Sequence, residues 1–225
     1  MKRPPHITYT ECDGSTERII GTMNKGEATA ERILDAAFRS IAMHGCGAVT
    51  LRGIAEEAGV ALSQLSYYYG NKDSLFDAVL KRMQQGYMDA LNERLQRQHT
   101  LVDQIMALVD YNEFILDKSP NTYRNFLEFF NFAMSSKEFQ PVVADFTSGI
   151  SEVIEKNISR YQPHKKSEYG HSAASVTRFI LSASFGIALQ HFLSPGNKDV
   201  RKGFDIIKET AAELIQAHRS SVGRR

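Results

Sequence analysis

Gly59–Lys72 reads GVALSQLSYYYGNK, three consecutive tyrosines stopped by a glycine. One short segment thus holds a third of the chain's nine tyrosines, in a protein without tryptophan. Leu65 and Tyr69 fall one helical turn apart, whereas Leu62, Ser63, Ser66 and Tyr67 share the other side. The spacing predicts a short helix from about Leu62 to Tyr69, with Leu65 and Tyr69 facing a core. Its outward face carries no charge, although a solvated face more often shows Lys or Glu. Small hydroxyls, Gln64 and an aromatic ring suit contact with base edges, thymine methyls and phosphates.

Upstream, Thr50 can accept the free amides of a helix start, Ile54, Ala55 and Ala58 form an inner face, and Gly59 closes the helix after about two turns. Two brief helices joined by AGV form a helix-turn-helix, with the glycine permitting the sharp turn. Before them, Ile33, Leu34, Ala37, Phe38, Ile41 and Ala42 mark one face of a helix from Glu27 that Gly45 stops. Downstream, Asn71 caps a long helix with Leu75, Val79, Met83, Tyr87, Leu91 and Leu95 along one stripe. Further helices are expected at roughly 101–118, 121–134, 139–160, 169–193 and 199–218, broken by Pro120, Pro141, Pro163 and Pro195. The chain reads as all-α, since no run alternates apolar and polar residues. The expected divisions are an N-terminal arm at 1–26 that is free to be disordered, a three-helix head at 27–74, a larger helical domain at 75–218 and a tail at 219–225.

Composition narrows the classes. With 27 basic and 26 acidic residues the net charge is +1, so any case for a polyanion partner has to be local. Cys12 and Cys46 lie far apart and outside any CxxC pattern, as expected in a reducing cytoplasm. The residues after MKRPP lack the apolar centre of a signal peptide. The uncharged stretch Phe179–Leu193 is shorter than the roughly 20 residues a membrane span needs. No membrane association and a cytoplasmic location are the expectation.

AERILDAAFRSIAMHG at 30–45 and TLRGIAEEAGVALSQLSYYYGNKDSLF at 50–76 together resemble the DNA-binding head of the TetR (tetracycline-repressor-like) family of transcriptional regulators. The features come in order: an amphipathic helix ending in HG, a Thr before the second helix, IAxxAGV, the aromatic cluster and NKDSLF. The resemblance implies DNA contacts at Thr50, Arg52, Leu62, Ser63, Gln64, Ser66, Tyr67, Tyr68 and Lys72. Thr50, Arg52, Tyr68 and Lys72 would hold phosphates, and Leu62, Ser63, Gln64, Ser66 and Tyr67 would meet the major groove. The sequence departs from the family pattern at Ala61, where a capping Ser or Thr is usual, at Ser63, where Gly is frequent, and at Ser66, where Tyr is. The arm's Lys2, Arg3, Arg18 and Lys25 could supplement the head in a minor groove, although a terminal extension without a role is the commoner case.

The remaining helices fit, by resemblance, an effector-binding and dimerisation domain. Aromatics crowd YRNFLEFFNFAM and its surroundings, and single apolar stripes are more often core than cavity. Given the family, an apolar effector cavity is expected to draw on Met106, Phe114, Phe126, Phe130, Met134, Phe185 and His191, with Asn112, Arg124, Asn125 and Glu128 as further polar contacts. A homodimer is implied, with Ser182, Phe185, Leu189, Phe204, Ile207, Ala211 and Leu214 as interface candidates. The stripe Phe204, Ile207, Ala211 and Leu214 serves equally as core within one chain. The implied activity is that of a homodimeric repressor on a palindromic operator, released when a small apolar or aromatic effector shifts the long helix from Asn71. No cofactor, metal or catalytic residue is expected. The alternatives are a helical-bundle metal protein or enzyme, for which Glu168 and His171 form one ExxH pair where two are needed, and a dimeric adaptor that does not bind DNA.

Overall fold

In a computed structural model of the chain, residues 24–161 and 173–222 are described. Every regular element among them is helical: α1 (Lys25–Ala48), α2 (Leu51–Ala58), α3 (Leu62–Tyr69), α4 (Lys72–Gln96), α5 (Leu101–Lys118), α6 (Pro120–Ser135), α7 (Gln140–Tyr161), α8 (Ala173–Leu193) and α9 (Lys198–Val222). The fold is all-α, with the N-terminal helices forming a helix-turn-helix head. Most of the arm at 1–26, the pair Glu168 and His171, and the end of the tail lie outside the described residues.

The helix ends follow local chemistry. α1 begins two residues before the expected Glu27, because Asn24 and Glu27 form a reciprocal capping box: Glu27 N donates to Asn24 Oδ1 (2.9 Å) and Asn24 N to Glu27 Oε2 (3.1 Å). Gly45, expected to stop this helix, breaks its geometry with φ 77° and ψ 157°, and a last turn follows to Ala48. Thr50 Oγ1 accepts from Gly53 N (3.1 Å) to start α2. Gly59 ends it in the left-handed region, φ 66°, where a side chain would be strained. α4 starts on Asn71, whose Oδ1 accepts from Ser74 N (2.8 Å). Pro120 opens α6, a position where its missing N–H costs nothing.

The chain divides into two compact units. The first comprises residues 1–86 and 118–146, the second 87–117 and 147–225. In the first, Ile33, Ile41, Ile54, Leu65, Leu75, Phe76, Phe129 and Phe146 are fully buried. Each such side chain contributes about 1.5–3 kcal/mol by leaving water. Phe76 of α4 meets Phe129 and Phe132 of α6 edge-on at 5.9 and 5.7 Å. Arg82 of α4 bonds Asp35 (2.8 Å) and Glu31 (3.2 Å) of α1. Arg39 and Ser40 of α1 both bond Glu57 of α2.

In the second unit, Leu91, Leu95, Leu108, Val109, Ile154, Ile180 and Phe204 form the core. α8 and α9 pack so closely that a Cβ on Gly203 would lie 2.9 Å from Ile187 Cδ1. Arg201 and Lys208 of α9 pair with Asp117 (2.7 Å) and Asp110 (2.6 Å) of α5. These pairs are partly solvated and worth at most about 1 kcal/mol each.

Ser175–Leu193 in α8 is long and apolar enough to cross a membrane by length and composition, at mean hydropathy 1.3. The helix runs on past the uncharged stretch by including Arg178. Only 28% of that window is buried, so α8 presents apolar surface on a chain whose other described helices do not pass this test.

Candidate nucleic-acid interface

The site is built on two short helices held by α1. Leu65 is fully buried, and Ile54, Ala55 and Ala58 of α2 are buried with it. Tyr69 turns inward, its hydroxyl donating to Ala30 O of α1 at 3.0 Å. Burial pushes the Tyr69 hydroxyl well above its ordinary pKa, with the Glu31 charge adding to the effect, so it remains a donor. Two tyrosines two positions apart therefore point to opposite sides: Tyr67 is 83% exposed.

With Leu65 inward, periodicity sends Ser63, Gln64, Ser66 and Tyr67 outward and leaves Leu62 at the edge, and all five are exposed. They form one continuous face without a charged group. Tyr67 and Tyr68 meet edge-on with ring centroids 5.4 Å apart, which limits the freedom of both. Tyr68 is half-buried, and its hydroxyl lies 3.3 Å from where a Cβ on Gly26 would stand, at the first turn of α1. Ala61 supplies no side-chain cap to α3. Gln64 N donates to Ala61 O (3.0 Å), which leaves the amides of Leu62 and Ser63 to solvent or to a ligand.

The positions implied as phosphate contacts flank this face. Arg52 is exposed in the first turn of α2. Thr50 is exposed, but its Oγ1 is already engaged as the cap of α2. Its hydroxyl hydrogen is what it can still offer. Lys72 is half-buried, with Nζ over the Phe76 ring at 5.3 Å, so it has to swing off that ring to reach a phosphate.

Sequence reasoning missed the tie between the head and α6. Asn125 Nδ2 donates to Phe38 O (3.0 Å), and Glu128 Oε2 accepts from Cys46 N (3.1 Å). Both bonds end on backbone groups of α1, and the second lies at the break that Gly45 introduces. A Cβ on Gly45 would come 2.8 Å from Glu128 Oε2, so the close approach needs glycine as much as the positive φ does. Asn125 and Glu128, expected as effector contacts, thus hold α6 to α1. The available signal was an Asn and a Glu three residues apart, hence on one face of a helix rich in aromatics. Burial and the Glu128 charge push the Cys46 thiol up from 9.0 to about 12.

The effector candidates fall in both units. Phe126 is buried against Phe146 (4.9 Å), Phe130 is half-buried and Met134 is 79% exposed, all in the first. In the second, Phe114 lies at the surface under the Arg94 guanidinium (5.3 Å), and Met106, Phe185 and His191 are half-buried. Asn112 is occupied: Nδ2 donates to Leu108 O of α5 (2.8 Å), and Oδ1 accepts from the Tyr87 hydroxyl of α4 (3.4 Å). Arg124 is exposed on α6. None of the seven lines the void of about 10 Å³ that opens in the second unit beside Gln104, a residue on the apolar side of α5 that sequence reasoning passed over. Its signal was an amide in register with Ile105 and Leu108.

Of the interface candidates, Phe204, Ile207 and Ala211 are buried within the chain, Phe185 is half-buried, and Ser182 and Leu189 are exposed. The Leu214 side chain is outside the described residues. Among the described residues, no group of three or more His, Cys, Asp or Glu side chains is placed to hold a metal.

Residues 33–79 match the family model described as bacterial regulatory proteins, tetR family. The chain is 30% identical over 106 residues to the HTH-type transcriptional regulator BetI of Brucella anthropi, across 47% of this chain and 55% of that protein. It thus spans about half the length of that relative, and 71% of BetI from Brucella canis, at 26% identity and 60% of this chain. The fold is similar to that of the transcriptional regulator FadR from Bacillus subtilis, solved with stearoyl-CoA (TM-score 0.68, 17% identity, 80% of this chain and 96% of that one). It is also similar to that of SmeT, the repressor of the Stenotrophomonas maltophilia multidrug efflux pump SmeDEF, solved with triclosan (TM-score 0.65, 17% identity, 82% of this chain and 90% of that one).

Proposed function

We propose, for a chain that belongs to the TetR family of bacterial regulators, that it is a homodimeric repressor which reads a palindromic operator with α3 and leaves it when a small, largely apolar effector binds. The observation that carries this reading is the α3 face. Five adjacent exposed side chains without charge, set on a helix whose opposite side is anchored by Leu65 and Tyr69, suit base edges rather than solvent. Tyr67 and Gln64 read bases, and Arg52, Tyr68 and Lys72 hold phosphates and fix register.

Two heads must meet successive major grooves roughly 34–36 Å apart. The pairing surface of this reading is α8 with α9, which expose Phe179, Leu189, Leu193 and Ile206 in a Ser-, Ala- and Gly-rich context that lets a second copy approach closely. Apolar exposure on this scale is what an interface explains, and burial against a second copy accounts for α8 without a membrane.

Release follows from the tie between α6 and α1. Ser119 alone links α5 to α6 in sequence, and α6 bonds α1 at Phe38 and Cys46, so this reading takes the effector's signal to the head along that covalent path. Solved proteins of this fold hold stearoyl-CoA and triclosan, both with large apolar parts, which supports an apolar effector here. The test is operator binding by Gln64→Ala and Tyr67→Ala. Each is expected to keep its helical circular dichroism and lose about 1–3 kcal/mol of specific binding. Unchanged discrimination against scrambled DNA would contradict the assignment of α3 as reader.

A further inference from the structure

Gln104 is the most anomalous polar group in the second unit. Its side chain is 2% exposed, and neither Oε1 nor Nε2 finds a hydrogen-bond partner among the described residues. A buried amide left without partners on both ends is costly, and native cores rarely retain one without use. Its backbone is conventional, since Gln104 N donates to Thr100 O at 3.0 Å within the first turn of α5. The anomaly is confined to the side chain.

That side chain lines the void of about 10 Å³, opposite Leu95, Leu108, Ile154 and Ile180 and beside Thr177. α4, α5, α7 and α8 all contribute, so the space sits at the centre of the unit's packing. None of its lining side chains is charged. A ligand bearing a full charge would lose its hydration there without a counter-charge, which excludes carboxylates and ammonium groups. What the amide lacks is a neighbour that donates to Oε1 and accepts from Nε2.

We infer that Gln104 is the polar anchor of the effector site, and that the effector is a neutral, mostly apolar molecule with one group that donates and accepts side by side, of which a carboxamide is the simplest. This rests on the regulator reading and gives its effector a chemical class. The resting void has room for about one water, so admission of the ligand pushes aliphatic side chains of four helices apart. That displacement is the physical signal: α5 carries Gln104 and continues through Ser119 into α6.

The test uses the full chain with hexanamide and hexanoate as probes at pH 7.5, matched in length and differing in charge, and the variants Gln104→Leu and Gln104→Met. Without probe, both variants are expected to melt about 2–4 °C higher than the parent, because an apolar group of similar size replaces an unpaired amide. Hexanamide is expected to raise the parent's melting temperature and hexanoate to leave it unchanged. The variants are expected to bind hexanamide about tenfold or more weakly. A single water held by Gln104 would instead leave the variants no more stable and the parent indifferent to both probes, and either result would overturn the inference. So would equal response to the two probes. Operator binding measured alongside separates the two readings: DNA binding without an amide response sinks only the effector site, and an amide response without DNA binding sinks the regulator reading and leaves Gln104 as a ligand anchor with no operator to control.

Discussion

Tyr67 and Tyr69 show how one dipeptide spacing sorts side chains into recognition and stability. Leu65→Ala removes a fully buried side chain and is expected to cost about 2–5 kcal/mol of folding free energy. Tyr67→Ala, at 83% exposure, is expected to shift the urea midpoint by less than about 0.5 kcal/mol equivalent while weakening specific DNA binding. Comparable destabilisation by the two would show that Tyr67 packs. Cys46 supplies a second test at this scale. Its thiol pKa rises from 9.0 to about 12 on folding, so the unfolded chain gives up its proton first. The contribution of this group to stability is therefore intact below pH 9 and lost between pH 9 and 12. Tyr69 and Tyr87, held protonated by burial, act in the same direction at higher pH. In a Cys12→Ser background, the thiol is expected to resist a disulfide reagent at pH 8 until the chain unfolds. Rapid labelling of the folded chain would contradict its burial.

The elements were the most legible level. Asn71, Thr50, Gly59 and Pro120 each announced a boundary, because caps and breakers act within one turn and need no tertiary information. The Leu62–Tyr69 helix was readable for the same reason. What stayed illegible depended on partners far along the chain: Glu128 meets Cys46 across 82 positions, and nothing local marks it as an anchor rather than a ligand contact. Gln104 was equally hidden, since an amide on an apolar stripe has many ordinary explanations. At this scale, Gly45→Ala is expected to destabilise by about 1–3 kcal/mol, because it forces a side chain into a left-handed backbone and against Glu128. Glu128→Gln retains an acceptor oxygen and is expected to restore most of what Glu128→Ala loses, read as thermal midpoints. Equal losses in Ala and Gln would place the effect in the charge instead of the hydrogen bond.

At the scale of the whole molecule, repression on this account requires two copies. The exposed apolar residues of α8 and α9 are expected to be covered by the partner, so Ile206→Glu with Leu189→Glu should yield monomers in sedimentation at micromolar concentration. Those monomers should keep the helical content of the parent and lose most operator affinity, since one head reads only half a palindrome. Dimers that persist would move the interface elsewhere. The charge of arm and head together makes salt dependence informative: residues 1–75 carry eight basic and nine acidic side chains, so attraction to phosphate comes from a few placed groups rather than from net charge. The measurement that bears most directly on the account is the affinity of the purified full chain for its own upstream DNA against a scrambled duplex, at two salt concentrations. The account predicts preference for the upstream duplex, with affinity that falls as salt rises. Equal binding to both duplexes, repeated in selection from random sequence, would contradict it.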